Sequence, residues 1–256
     1  MRFPLRLSAG LSKARVSSVF GSVSAASPIF RFNPCVTHLA AGQRSEEAST
    51  DFEWHSPEDC ATQVRAISSP VVWVGGTEPL LHPEIGRAAN AIVDTDRFVF
   101  LHTNGYSLRQ RIHEFRPDSR LFLTLEFAGR KEVRSATSGY PDAFCRSIEA
   151  IRAAKLSGFL VAAHVTVTKL TDACDVGGLI EFLDKKDVDG FIVTAAGQAA
   201  SDSSLAETLA HVRAMIRGSR WEDFSKLLEA SYAKAAPVPA CNHYATGSEN
   251  AFEEGD

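Results

Sequence analysis

The chain has 256 residues, of which 45% are apolar and 23% charged, with 27 Lys+Arg against 31 Asp+Glu for a net charge of −4. That composition excludes disordered and fibrous classes, is long enough for one barrel-type domain or two small ones, and offers no basic excess to make nucleic acid the main partner. Five scattered cysteines (Cys35, Cys60, Cys145, Cys174, Cys241), no two at C-x-x-C spacing, support neither a disulfide framework nor a zinc knuckle and fit a reducing cytoplasm. Apolar stretches are interrupted well before the roughly 18 to 20 residues a membrane span needs.

Residues 1–27 form a basic N-terminal segment, in which Arg2, Arg6, Lys13 and Arg15 all precede the first acid, Glu46. Residues 5–20 read as a helix. It either caps a barrel, rests as an amphipathic helix on an anionic membrane surface, or belongs to a targeting segment. From residue 28 to 218 short β-like runs alternate with helical periods, the pattern of repeated βα units on a parallel sheet. Strands are predicted at residues 29–32, 71–74, 98–101, 121–125, 160–167 and 190–194, and helices near 57–67, 83–93, 107–115, 142–156, 176–185 and 205–216. Six βα units are too few for a closed eight-fold barrel, so the α/β fold expected is an open, partial (β/α)6 TIM-type barrel with parallel strands. Residues 219–256 complete the chain as a short C-terminal helix and an acidic tail.

Ligands of parallel α/β folds bind where the βα loops gather, at the C-terminal ends of the strands. The second predicted strand runs into Gly75-Gly76-Thr77-Glu78-Pro79-Leu80-Leu81-His82-Pro83-Glu84 and the third into His102-Thr103-Asn104-Gly105. A glycine pair lets backbone approach a ligand, and the carboxylate of Glu78 can accept from an ammonium group. Elsewhere, His164 near the end of its strand either faces the site or is hydrogen-bonded between barrel and helix. Lys169 reads as a solvated loop lysine, and Cys60, Cys145 and Cys174 as packing residues.

The glycine-rich turn followed one βα unit later by Thr-Asn-Gly resembles the radical S-adenosylmethionine (radical SAM) superfamily. Residues 1–6, 71–85, 98–105, 147–154 and 188–190 resemble, more narrowly, the adenosyl-hopane transferase group of hopanoid biosynthesis. The resemblance implies a six-stranded partial barrel that holds S-adenosylmethionine through Gly75, Gly76, Glu78, Pro79, Asn104 and Gly105, beside a 4Fe-4S cluster on the loop after the first strand. The family's Cys-x3-Cys-x2-Cys is missing from that loop, residues 33–45. Counting from Cys35 puts the other two positions on Leu39 and Gly42, and the ungapped alternative gives His38, Gly42 and Ser45. Three soft thiolates cannot be replaced by such a set.

Further departures from the family pattern are Thr77 at its second glycine, Glu126-Phe127-Ala128-Gly129 at its acidic turn, and the featureless residues 194–201. The expectation is a radical SAM-like barrel without its cluster, a pseudoenzyme or small-molecule binder, cytoplasmic with possible peripheral membrane contact through the basic N-terminus. The alternatives are an active enzyme transferring a 5′-deoxyadenosyl group to a hopanoid-type isoprenoid, and a cofactor-free barrel enzyme using Lys169 or Glu126.

Overall fold

A computed structural model describes residues 3–20, 36–44, 52–76, 78–127, 142–196 and 203–232. In chain order these form α1 (Leu5–Phe20), β1 (Val36–Ala40), β2 (Gly42–Arg44), β3 (Phe52–Trp54), α2 (Pro57–Arg65), β4 (Val71–Gly75), α3 (Ile85–Val93) and β5 (Phe98–Thr103). There follow α4 (Leu108–Arg111), β6 (Leu121–Phe127), α5 (Ala143–Leu156), β7 (Leu160–Val167), α6 (Ala173–Asp184), β8 (Gly190–Ala195), α7 (Ser203–Ala214) and α8 (Arg220–Tyr232). The main sheet runs β1-β4-β5-β6-β7-β8, every neighbouring pair parallel, and β2 and β3 make a separate antiparallel pair. It is a curled (β/α)6 half-barrel of TIM type, with neighbours in sequence order because each βα crossover sets the next strand beside the last.

One strand differs from expectation. Residues 29–32 lie outside the described residues, and the strand that pairs with β4 is Val36–Ala40, within the stretch expected to be a loop. Val36 and Leu39 are buried on opposite faces, so this stretch satisfies the two-sided burial that a parallel sheet imposes.

Side-chain alternation splits the core in two. Outward residues such as Val72, Val99, Leu123, Val161 and Val193 pack with the helices in one cluster, while inward residues such as Val71, Trp73, Phe98, Phe100, Phe122 and Ile192 form a second. Phe100 stacks on Phe122 with ring centroids 4.5 Å apart, and on Trp73 at 5.9 Å. The inner cluster is completed by helices from the two ends of the chain. Leu7 and Leu11 of α1 are buried in it, as are Trp221, Phe224 and Leu228 of α8. Leu7 and Leu11 of α1 thus pack against the barrel, as the capping reading of this segment expects. No described helix is long and apolar enough to cross a membrane.

Helix α8 also joins the two edges of the open sheet. Ser225 Oγ accepts from the backbone N–H of Val193, Glu229 accepts from that of Ala195 at 3.3 Å, and at the far edge His38 donates to Ser231 Oγ at 2.7 Å. Ser231 gives its own proton to the Leu228 carbonyl, which fixes His38 as the Nε2–H tautomer. Arg213 of α7 donates to the Val193 carbonyl and pairs with Glu229 at 2.5 Å. Unpaired strand edges are ready templates for other chains, and here side chains from two helices occupy the β8 edge.

Candidate functional site

The inward positions change character along each strand. Reading toward the C-terminal end, β5 goes from Phe98 and Phe100 to His102, β6 from Phe122 to Thr124 and Glu126, β7 from Ala162 to His164 and Thr166, and β8 from Ile192 to Thr194. On β1 and β4 the last inward residues are Ala40 and Gly75, small residues at the level above Trp73. An aromatic floor therefore carries a polar cup at the end of the barrel where ligands bind in this class of fold.

The turn after β4 forms one wall, and Glu78 braces it. Its Oε1 accepts from Thr103 Oγ1 at 2.6 Å and from the Leu80 N–H at 3.0 Å, and its Oε2 from the Asn104 N–H at 2.8 Å. Burial pushes the carboxyl above its ordinary range, and the bonds from Asn104, Thr103 and Leu80 act against that rise. A carboxylate has about four acceptor positions, so three donors leave about one for a ligand.

Gly75, Gly76, Glu78, Pro79, Asn104 and Gly105 are thus gathered at the ends of β4 and β5. Gly76 has φ +93° and Gly105 φ +77°, conformations that favour glycine. A Cβ at Gly105 would come within 2.7 Å of Leu125, so close packing also requires the missing side chain. Pro79 opens a 3₁₀ turn, Pro79–Leu81, in which Pro79 and Leu80 are buried. Asn104 Oδ1 accepts from the Tyr106 N–H at 2.8 Å, and its carbonyl accepts from Ser147.

Two further residues hold this wall: His82, within the run after the second predicted strand, and Arg111, which carries no clear signal in the sequence. His82 Nε2 donates to the His55 carbonyl at 2.7 Å while its Nδ1 accepts from the Glu84 N–H, pinning the turn to the segment before α2. Arg111 of α4 donates to the carbonyls of Leu80, His82 and Pro83 and pairs with Glu114. A guanidinium presents five donors in a planar fork, which suits a cluster of carbonyls on one turn.

At His164 the structure decides between the two readings. Its ring points into the barrel rather than toward a helix, with Nδ1 2.9 Å from His102 Nε2 and Nε2 2.8 Å from Thr194 Oγ1. Trp73 lies 5.1 Å from the His102 ring and 5.4 Å from that of His164. Burial, with the nearby His102 second, holds His164 well below the usual imidazole range; the same two causes push His38 down to about 4. His102 and Thr194 were legible as inward residues from strand alternation alone; their convergence with His164 was not. Lys169 is exposed in the loop after β7, and Glu126, the other alternative, stands on the cup wall with Thr166 3.4 Å away.

The cysteines take separate places. Cys60 is buried in α2, whereas Cys145 on α5 and Cys174 on α6 are exposed and not packing residues, because they fall on the solvent side of their helices. Cys35, Cys241, Thr77, Ala128 and Gly129 lie outside the described residues, as do residues 197–201. With β1 ending at Ala40, the loop after it begins at Ala41, and the next thiol in sequence is Cys60. That donor set does not supply the three thiolates on one short loop by which the resemblance would hold a 4Fe-4S cluster. Among the described residues no three His, Cys, Asp or Glu side chains are gathered to hold a metal ion. The glycine turn, with about one remaining acceptor position on Glu78, does fit the methionine end of S-adenosylmethionine.

The family model of the radical SAM superfamily matches residues 35–183, more than half of the chain. The chain belongs to the radical SAM superfamily. Among solved structures, SuiB from Streptococcus suis matches with a TM-score of 0.52 at 14% identity over 72% of this chain and 47% of SuiB. SuiB bound to S-adenosylmethionine matches with a TM-score of 0.52 at 13% identity over 69% and 44%. At such identity the likeness is one of fold, and this radical SAM chain spans less than half the length of SuiB. No curated protein matches it in sequence.

Proposed function

We propose that this chain is a radical SAM-type barrel that binds S-adenosylmethionine, or a small molecule like it, without a 4Fe-4S cluster and without radical chemistry. One contrast carries the reading: the turn after β4 is built and braced, whereas the loop after β1 has no thiolate before Cys60. Forming the 5′-deoxyadenosyl radical requires an electron delivered through the cluster. With the iron gone, the remaining grip on the methionine end is the glycine turn and Glu78.

Calorimetric titration of S-adenosylmethionine into the protein and its Glu78→Gln variant tests this. A charge-assisted hydrogen bond contributes about 1.5 to 3 kcal/mol, so the variant should bind on the order of ten- to a hundredfold more weakly. Equal affinities, or no binding by either protein, would remove the cofactor reading. Anaerobic reconstitution with iron and sulfide should leave the protein colourless.

The second reading is an active enzyme that transfers an adenosyl group to a polycyclic isoprenoid at a membrane surface. The resemblance of residues 1–6 and 71–85 to the adenosyl-hopane transferase group favours it. About four irons per chain after reconstitution, with a thiolate-to-iron absorption band, would establish that reading in place of the first.

A further inference from the structure

Helix α5 presents two faces. Ala150, Ile151 and Ala154 are buried in the outer cluster against the sheet. Asp142 at its N-cap, Cys145, Arg146 and Glu149 recur at i, i+3, i+4 and i+7, a spacing that places them together on another face. That face meets Tyr106 and Arg109, from the turn after β5 and from α4, across a groove of about 350 Å³ that all six residues line. The groove belongs to the helical layer outside the barrel, since Leu108 beside it packs in the outer cluster. Ligand pockets run from about 300 to 1,000 Å³, so this one suits a molecule the size of an amino acid.

The charges in the groove are unequally matched. Arg109 pairs with Glu149 at 2.7 Å, which ties α4 to α5 and compensates both groups. Arg146 differs. Its guanidinium carbon lies 4.2 Å from the centre of the Tyr106 ring, and among the described residues it meets no carboxylate. Stacking on an aromatic face holds the plane of a guanidinium while its N–H edge stays open to an acceptor. Asp142 leads into α5 with no side-chain capping bond and has no ion-pair partner among the described residues. One cation and one anion are thus left uncompensated on the same wall.

We propose that this groove binds a small zwitterion, an α-amino acid, with its carboxylate on Arg146 and its ammonium on Asp142. Charge sets the ligand class. The lining sums to zero, two Arg against one Asp and one Glu, so a polyanion meets two carboxylates and a polyamine two guanidinium groups. A ligand with one charge of each sign pairs both leftover groups at once. The carboxylate can take two parallel bonds from Arg146, and the Tyr106 ring has already restricted that side chain before the ligand arrives.

This site uses no iron and no S-adenosylmethionine, so its failure and that of the proposed function are told apart. Cys145 supplies the readout. Its thiol is exposed on the groove wall, while Cys174, exposed on α6, is not part of the lining and serves as the internal control. Freshly reduced protein is treated with iodoacetamide, whose iodide the thiolate displaces, and each cysteine is followed by peptide mass spectrometry. The reaction is run at constant ionic strength with L-alanine, with propionate, which is alanine without its ammonium, or with ethylammonium, which is alanine without its carboxylate. L-Alanine should slow Cys145 saturably and leave Cys174 unchanged, and either single-charge analogue should need on the order of ten times the concentration. No protection of Cys145, equal slowing of both thiols, or equal protection by all three compounds overturns the proposal.

Two variants assign the charges. Both positions lie off the buried face of α5, so each variant should fold as the parent does. Arg146→Gln should require on the order of tenfold more L-alanine for the same protection, and Asp142→Asn should make L-alanine and propionate equivalent. Protection is taken as the ratio of Cys145 rates with and without ligand in each variant, which removes any change in the intrinsic reactivity of the thiol. Unchanged protection in Arg146→Gln, or a preference for L-alanine over propionate that survives in Asp142→Asn, would overturn the zwitterion site.

Discussion

His38 and His164 are held neutral by burial inside the barrel, and that ties stability to pH. Both have folded-state values below the ordinary 6.5, about 4 for His38, so on acidification the unfolded chain takes up protons first. Their contribution is fully present above about pH 6.5 and is lost as pH falls toward 4, at a slope of up to about 1.4 kcal/mol per pH unit for each group. Urea midpoints should drop between pH 7 and 5, and a His38→Gln variant should show a shallower drop. A midpoint independent of pH in this range would show that neither ring is buried as described. Glu78 illustrates how one residue reads differently at the two levels. Its place after a glycine pair marks it as a ligand group, whereas three hydrogen bonds show that it also ties the β4 turn to the end of β5.

Among the elements, α8 depends on a single glycine. Gly190 opens β8 facing inward, and a Cβ there would stand 2.0 Å from Trp221 Cε2. The indole cannot retreat, because it lies among Phe3, Phe122 and Phe224, with Phe3 only 4.9 Å away. Gly190→Ala should therefore push α8 off the sheet and destabilise the protein by at least about 1 to 3 kcal/mol. It should also change the tryptophan fluorescence of the folded state. A milder variant, Ser225→Ala, keeps the packing but strips the buried Val193 N–H of its acceptor, at a cost of about 1 to 3 kcal/mol. Thermal unfolding of both should rank them in that order, and an unchanged melting temperature in Gly190→Ala would show that Trp221 does not fill this position.

At the scale of the whole molecule, α1 and α8 fill the open side of the half-barrel. The inner cluster draws Leu7 and Leu11 from α1 and Trp221, Phe224 and Leu228 from α8, so the sheet cannot bury its aromatic floor without them. Ending the chain before Arg220 should expose Phe100 and Phe122 together with the unpaired edge of β8. The truncated protein should bind the dye ANS, lose its near-UV circular dichroism while keeping much of its far-UV signal, and aggregate. A truncated chain that stays monomeric with an intact near-UV spectrum would show that the sheet is stable without its plug.

The order of βα units was legible from the sequence because each outward face is a run of Val, Leu and Phe and each crossover is short, which leaves a parallel sheet in chain order as the natural packing. So was the turn from Gly75 to Glu78, whose glycines serve a local backbone need. The first strand was not: Val36–Ala40 is a short stretch with a histidine in it, and it becomes a strand because β4 offers a paired edge and α8 supplies Ser231 to its histidine. The interior cluster was hidden for a related reason. His102, Thr124, His164 and Thr194 lie on four strands spread over 93 residues of sequence, and no local spacing connects them. Only the curl of the sheet brings two imidazoles to 2.9 Å and leaves one hydroxyl beside them without a partner.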